Sequence, residues 1–339
     1  MDNAGMAIYI VPIRYSEEDS GFVVPAQVGS TIMDLVLDSG SSNVSVASAD
    51  CVASNQCGSV SVGYDPEKSE AAVDLKTEDT LNYASLEVKA KKFLDTLIFF
   101  AASDGLELMC AKRSHRKNDS TIKLQLTDTL VASATSMDGT HSNIIGLMQG
   151  SGFLDHMFSQ TGMRPQWGIV CHQTSPWFIV GSIEDIDCVP KKNILWMPMS
   201  KRFRYMGAYV LDVDSIYIDG ERLSPKEGPL HVIVDTGTAE SYWSPASCGG
   251  SWSPSLIDER NIYPTIEFEF KTADGLGWRL TMTKDHYMTG GRSNFHGTNS
   301  NVARLFPTER VMILGIAHMM GLYWHFDLER KRVGVCPWN

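Results

Sequence analysis

No uninterrupted apolar stretch in this chain of 339 residues comes near the roughly 20 residues that span a bilayer. The longest candidates, such as Asp95 to Ala102, have the length of a strand, and no membrane span is expected within these residues. Positive charge is also scarce: 29 Lys and Arg stand against 40 Asp and Glu, a net charge of −11, which argues against nucleic acid or an anionic membrane as partner. One basic cluster breaks the pattern, Lys112 to Lys117, and with Asn118-Asp119-Ser120 behind it reads as a solvated loop. The seven cysteines include no pair at CxxC spacing, and the nine histidines form no ligand pattern, so neither a metal nor another cofactor is expected. The first residues, Met1 to Gly5, lack the basic region and apolar stretch of a signal peptide, as in a chain whose targeting segment lies upstream. Helical patterning is sparse; the best candidate is Gly152 to Gln160, with Phe153, Met157 and Phe158 on one face and Gly162 as a stop.

What fills the chain instead is strand-like sequence. Segments of four to eight residues rich in β-branched and aromatic side chains recur between Gly, Asp, Ser and Pro turns, among them Thr31 to Leu37, Lys92 to Phe100, Gln166 to Val170, Tyr209 to Ile218 and Leu230 to Val234. A mainly β, all-β class is therefore expected, and the length allows two packed domains. Two segments say nearly the same thing. Leu35-Val36-Leu37-Asp38-Ser39-Gly40-Ser41 and Val232-Ile233-Val234-Asp235-Thr236-Gly237-Thr238 each read as a buried strand delivering one carboxylate into a tight turn. A second echo follows each of them, Ile144-Ile145-Gly146 and Ile313-Leu314-Gly315. Repeated order implies a duplicated lobe, 1–189 and 190–339, with the boundary in the Pro-containing stretch Val189 to Asn193. An Asp at a strand end is by itself most often a turn former or cap; the repeated context is what points to a shared site.

These landmarks, in this order, resemble those of the pepsin-like aspartic proteases, and the likeness covers almost the whole chain. Asp38-Ser39-Gly40-Ser41 and Asp235-Thr236-Gly237-Thr238 resemble the two catalytic loops, Leu81-Asn82-Tyr83 the flap strand with its tyrosine, and Asp95-Thr96 the pair that follows it. Ile144-Ile145-Gly146 and Ile313-Leu314-Gly315 resemble the segments behind each loop, and Phe326-Asp327 through Val335 the closing strand. The resemblance implies a bilobal fold of two homologous β lobes with a cleft between them. Some features depart from it. Ser45 stands where many members have tryptophan, so the usual partner of the flap tyrosine is missing, as in the β-secretase branch. Ala84-Ser85-Leu86 stands where the flap tip commonly has glycine, and the stretch from Ala101 to Ser142 is longer than in pepsin. Cys51 and Cys57 enclose a short polar stretch, as a small disulfide loop would, and by resemblance to β-secretase-like members Cys171 pairs with Cys336. Cys110, Cys188 and Cys248 stay unassigned.

The chemistry implied is hydrolysis of peptide bonds by a water held between two carboxylates, Asp38 and Asp235, which share a proton and titrate as a pair. Gly40 and Gly237 let the backbone approach the carboxylates, and Ser39 and Thr236 bond across to the opposite loop. Ser41 and Thr238 support the outer oxygens, while Tyr83, with Gly40, Gly237 and Thr238, binds substrate. The expectation is a monomeric endopeptidase of the secretory pathway, a vacuolar or lysosomal compartment or the cell exterior, acting at acidic pH between apolar residues and binding pepstatin-like inhibitors. The alternative is a catalytically inactive pepsin-like binding or inhibitor protein. A half-size enzyme that dimerises is disfavoured, because one chain carries both motifs.

Overall fold

In a computed structural model the described residues are 8–17, 19, 21–58, 60–83, 87–111, 120–137, 143–186, 188–189, 191–203, 206–223, 230–243, 263–273, 275, 277–284, 288–289, 292–293, 295–296 and 311–338. The expected flap tip Ala84-Ser85-Leu86, the basic cluster Lys112 to Lys117 and Cys248 lie outside them.

The architecture is the all-β one that the strand-like sequence leads to. Among the described residues, one eight-stranded sheet runs from Arg14–Ser16 to Ile144–Gly146 and a second from Val210–Ile218 to Val311–Leu314. A six-stranded antiparallel sheet interleaves the two halves, because Gln166–Cys171 pairs with Leu322–Asp327, and Leu322–Asp327 pairs in turn with Arg332–Pro337. Cores follow from the patterning: Thr31–Asp38 alternates at its outer end and is wholly buried over its last four residues, and Leu230–Val234 is buried throughout.

Each acid strand lies in the same local weave. Thr31–Asp38 pairs in parallel with Ile144–Gly146, whose other edge is taken by Val44–Ala47. Leu230–Val234 pairs in parallel with Val311–Leu314, whose other edge is taken by Ser241–Trp243. The acid turn must therefore pass over the end of the central strand. That crossing explains the aliphatic-Gly echo: a Cβ at Gly146 would lie 2.5 Å from Asn43 N, and one at Gly315 would collide with the Glu240 carbonyl.

The expected helix forms as Gly152–Thr161. Ser151 Oγ accepts from Leu154 N at 3.1 Å, Phe153, Leu154, Met157 and Phe158 are buried, and Gly162 ends the helix in the left-handed region at φ 67°. Two short helices carry no comparable sequence pattern, Ala49–Ala53 and Gly105–Cys110. The latter lies in the stretch Ala101 to Ser142 that is expected to be longer than in pepsin, most of whose described remainder is the strand Thr121–Met137.

The cysteines require one correction. Cys51 and Cys57 are bonded as expected, and the second bridge joins Cys110 to Cys188, while Cys171 and Cys336 are free and buried. Strand order forbids the Cys171–Cys336 pairing: Cys171 is opposite Leu322 and Cys336 is opposite Tyr323, so Leu322–Asp327 lies between them. Two strand spacings are about 9.5 Å, beyond the roughly 7 Å across which a disulfide can reach. The bridge that does form closes a span of 78 residues, worth on the order of 4 kcal/mol in unfolded-chain entropy, and ties the extra segment to the central sheet.

Candidate active site

The two acid turns meet, and their backbones hold each other in a reciprocal clasp. Ser39 N donates to Thr236 Oγ1 at 3.0 Å and Thr236 N donates to Ser39 Oγ at 2.9 Å. The hydroxyls continue outward, Ser39 Oγ to the Val234 carbonyl at 2.9 Å and Thr236 Oγ1 to the Leu37 carbonyl at 2.7 Å. All four bonds are buried and all four join residues nearly 200 positions apart. Small hydroxyl residues suit this place because each is donor and acceptor at once.

The clasp sets the carboxylates face to face. Gly40 N donates to Asp38 Oδ1 at 2.7 Å and Gly237 N to Asp235 Oδ1 at 2.9 Å. Each glycine also lies against the opposite acid: a Cβ at Gly40 would stand 2.8 Å from both Asp235 oxygens, and one at Gly237 would collide with Asp38 Oδ1. No side chain fits at either position. Behind the turns, Leu147 N donates to the Asp38 carbonyl at 2.7 Å and Asp235 N to the Leu314 carbonyl at 3.0 Å.

The two acids differ in surroundings. Asp38 is buried, and its pKa is pushed up to about 8, first by burial and then by the charge of Asp235; Ser41 and the Gly40 amide oppose the shift. Asp235 is only half-buried, and Thr238 Oγ1 donates to its Oδ2 at 2.6 Å. Ser41 stands close enough to Asp38 to favour ionisation, yet its buried Oγ completes no hydrogen bond of normal geometry. The support expected of both outer hydroxyls is thus strong on one side only. Two carboxyls so close do not both ionise easily.

Tyr83 is half-buried between two apolar clusters, Val23, Val36 and Ile144 on one side and the group around Cys51 and Cys57 on the other. Its hydroxyl pKa is pushed up to about 12, first by burial; Ser45 lowers it and the charge of Asp38 raises it. Ser45, fully buried, stands close enough to the Tyr83 hydroxyl to lower its pKa, yet its Oγ completes no hydrogen bond of normal geometry. Nothing in the spacing of the sequence signals that contact. Asp95, 1 % exposed, anchors the base of the hairpin: it accepts from Tyr64 Oη at 2.7 Å, Ser69 Oγ at 2.8 Å and Thr96 N at 2.7 Å. Its two side-chain donors lie 31 and 26 residues away, and only the fold brings them in.

Two buried histidines bond within the sheets, and a third, His318, meets Ser241 Oγ. His231 Nδ1 meets Asp212 Oδ1 at 2.7 Å, and His325 bridges Tyr323 and Gln166 with its pKa lowered to about 3 by burial. Among the described residues no three His, Cys, Asp or Glu side chains gather as metal ligands. No helix of the described residues is long and apolar enough to cross a membrane. A polar cavity of about 600 Å³ between the helix Ala49–Ala53 and the flap hairpin includes Tyr64, Glu67 and Lys91 in its lining and neither acid turn, so it is no part of this site.

A weave that carries one Asp-hydroxyl-Gly-hydroxyl turn in each half brings the two carboxyls together as a candidate two-carboxylate site. The family model for eukaryotic aspartyl protease matches residues 22–249, about two thirds of the chain and inclusive of both turns, and the chain belongs to that family with its pepsin-like fold. Among curated proteins no match was found.

Proposed function

We propose that this chain is an active aspartic endopeptidase, monomeric and built of lobes 1–189 and 190–339, that cleaves extended peptides in acid by a water held between Asp38 and Asp235. The observation that carries the reading is the burial of one acid against a second that is half-open and doubly hydrogen-bonded. Asp38, the buried member, keeps the shared proton, and Asp235, the more open one, serves as the base. As the water oxygen bonds the scissile carbonyl carbon, Asp235 takes the proton that the water loses, and Asp38 gives its own to the carbonyl oxygen. The tetrahedral diol then collapses: the C–N bond breaks, the leaving nitrogen receives the proton held by Asp235, and Asp38 recovers one from the diol. Tyr83 closes over the substrate and excludes bulk water.

Apolar preference on both sides of the scissile bond follows from what flanks the acids. Val36 and Ile233 each precede an acid by two residues and so share its strand face. Val36 joins Val23, Ile144 and Tyr83, while Ile233 joins Val210 and Phe203 with Met148, Met206 and Ile313 at the edge. Two disulfides fit an oxidising compartment, in the secretory pathway, the endolysosomal or vacuolar system, or outside the cell.

The test is digestion of unfolded protein at pH 3 to 7, with and without pepstatin, by the chain and by Asp38→Asn. Acid-dependent, pepstatin-sensitive cleavage lost in Asp38→Asn is expected. Cleavage that survives both treatments overturns the dyad, and peptide binding without cleavage by folded protein assigns the chain a binding role instead.

A further inference from the structure

The Ser39–Thr236 clasp holds the acid turns at their tips, but a second connection joins them from beneath. The Tyr209 carbonyl accepts from Val234 N at 2.9 Å, one residue before Asp235. The hydroxyl of the same residue donates to the Leu147 carbonyl at 2.6 Å, and Leu147 N donates to the Asp38 carbonyl at 2.7 Å. One residue therefore spans, by its backbone carbonyl and its side-chain hydroxyl, from the strand of one acid to the segment that carries the backbone of the other. Its neighbours leave it no freedom. Tyr209 is fully buried, accepts from Trp167 Nε1 at 2.9 Å, and packs edge-on against Trp167 and Phe326, which are themselves stacked at 3.9 Å. Gln149 secures the crossing further along, its backbone N donating to the Gly207 carbonyl at 2.8 Å and its Nε2 to the Ala208 carbonyl at 3.0 Å.

We infer that Tyr209 is a positioning residue that fixes the separation of Asp38 and Asp235 through its hydroxyl bond to Leu147. The inference rests on the dyad reading above, but its geometry exists whether or not the chain cleaves anything. An aromatic at this place would be needed for packing alone; the hydroxyl is what reaches the first acid's segment. If that bond is lost, the Leu147 carbonyl is left buried without its donor, the Asp38 turn shifts, and the carboxyls interact less strongly.

The experiment compares Tyr209→Phe with Tyr323→Phe, which deletes an equally buried hydroxyl, bonded to His325 at 2.7 Å in the central sheet and remote from both turns. Two readouts are taken: carboxyl-carbon NMR titration of Asp38 and Asp235, and kcat with KM on an apolar peptide. Tyr209→Phe should lower the upper titration of the pair by about one pH unit and cut kcat about ten- to a hundredfold with KM nearly unchanged. Tyr323→Phe should lose comparable stability and move neither. Gln149→Met, a milder change at the same crossing, should move the titration the same way by less, and it reports if Tyr209→Phe does not fold. An unmoved titration in Tyr209→Phe, or an equal shift in Tyr323→Phe, overturns the inference. A shifted titration in a chain that never cleaves peptide leaves the positioning role standing and removes the protease reading; cleavage with unmoved titration does the reverse.

Discussion

The first and second acid turns share a backbone path and a reciprocal clasp, and differ in how far their carboxyls and outer hydroxyls are buried. Around Asp38 the site is dry: the acid and Ser41 are buried, and Tyr83 and Ser45 lie close by. Around Asp235 it is open: the acid and Thr238 are half-buried, Gly237 is exposed, and the Thr238 hydroxyl bonds the carboxylate at 2.6 Å. Duplicated sequence has thus produced two unlike places, one whose burial favours a neutral acid and one, more open, whose carboxyl accepts two hydrogen bonds. Water activation needs one of each, and it is the inequality of the turns, more than their likeness, that assigns the roles proposed here.

Removing either acid is the most drastic way to break the comparison. Asp38→Asn and Asp235→Asn should each reduce kcat by about a thousandfold or more while both proteins stay folded, read by peptide cleavage and circular dichroism. Next comes the clasp, where the turns are alike. Ser39→Ala and Thr236→Ala each delete two buried bonds across the halves, and urea unfolding should show a loss of about 2–4 kcal/mol in each, nearly equal between them. A large difference would mean that the clasp is not reciprocal.

Stability against pH separates the acids further. Asp38 in the folded chain holds its proton to a higher pH than it does unfolded, so its contribution is complete below about pH 4 and is lost as pH rises towards about 8. Asp38→Asn should therefore match the wild type near pH 3.5 and exceed it at pH 8, by several kcal/mol in urea titrations. Equal stability at both pH values would contradict the buried neutral acid. The smallest effect contrasts the outer hydroxyls: Thr238→Val should cost about tenfold in kcat and raise the acid limb of the pH profile, whereas Ser41→Ala should cost less than about threefold, because only Thr238 completes a bond to its carboxylate.

Much of this was legible in the chain itself. The strand periods were, because burial imposes alternation or continuous apolar runs, and Leu230–Val234 is found with the bounds its sequence suggests. The helix Gly152–Thr161 was, because its apolar face and closing glycine are local signals. That Cys171 and Cys336 stay apart was not: two cysteines at strand ends look equally available until the order of strands places a third strand between them. Ser45 and Tyr209 were hidden for a related reason. Their contacts join positions dozens of residues apart, and no spacing rule encodes which strand will lie beside which.

The sequence by itself determined the two carboxylates, the small hydroxyl and glycine positions around them, and the β class, since these depend on residue type and short-range pattern. Only the tertiary structure decided that Gly40 lies against Asp235 and Gly237 against Asp38, and that Cys110 bonds Cys188. It alone decided, too, that Asp38 is the buried member of the pair. Those are matters of distance and dielectric between segments some 200 residues apart, which a chain acquires only when its halves have packed.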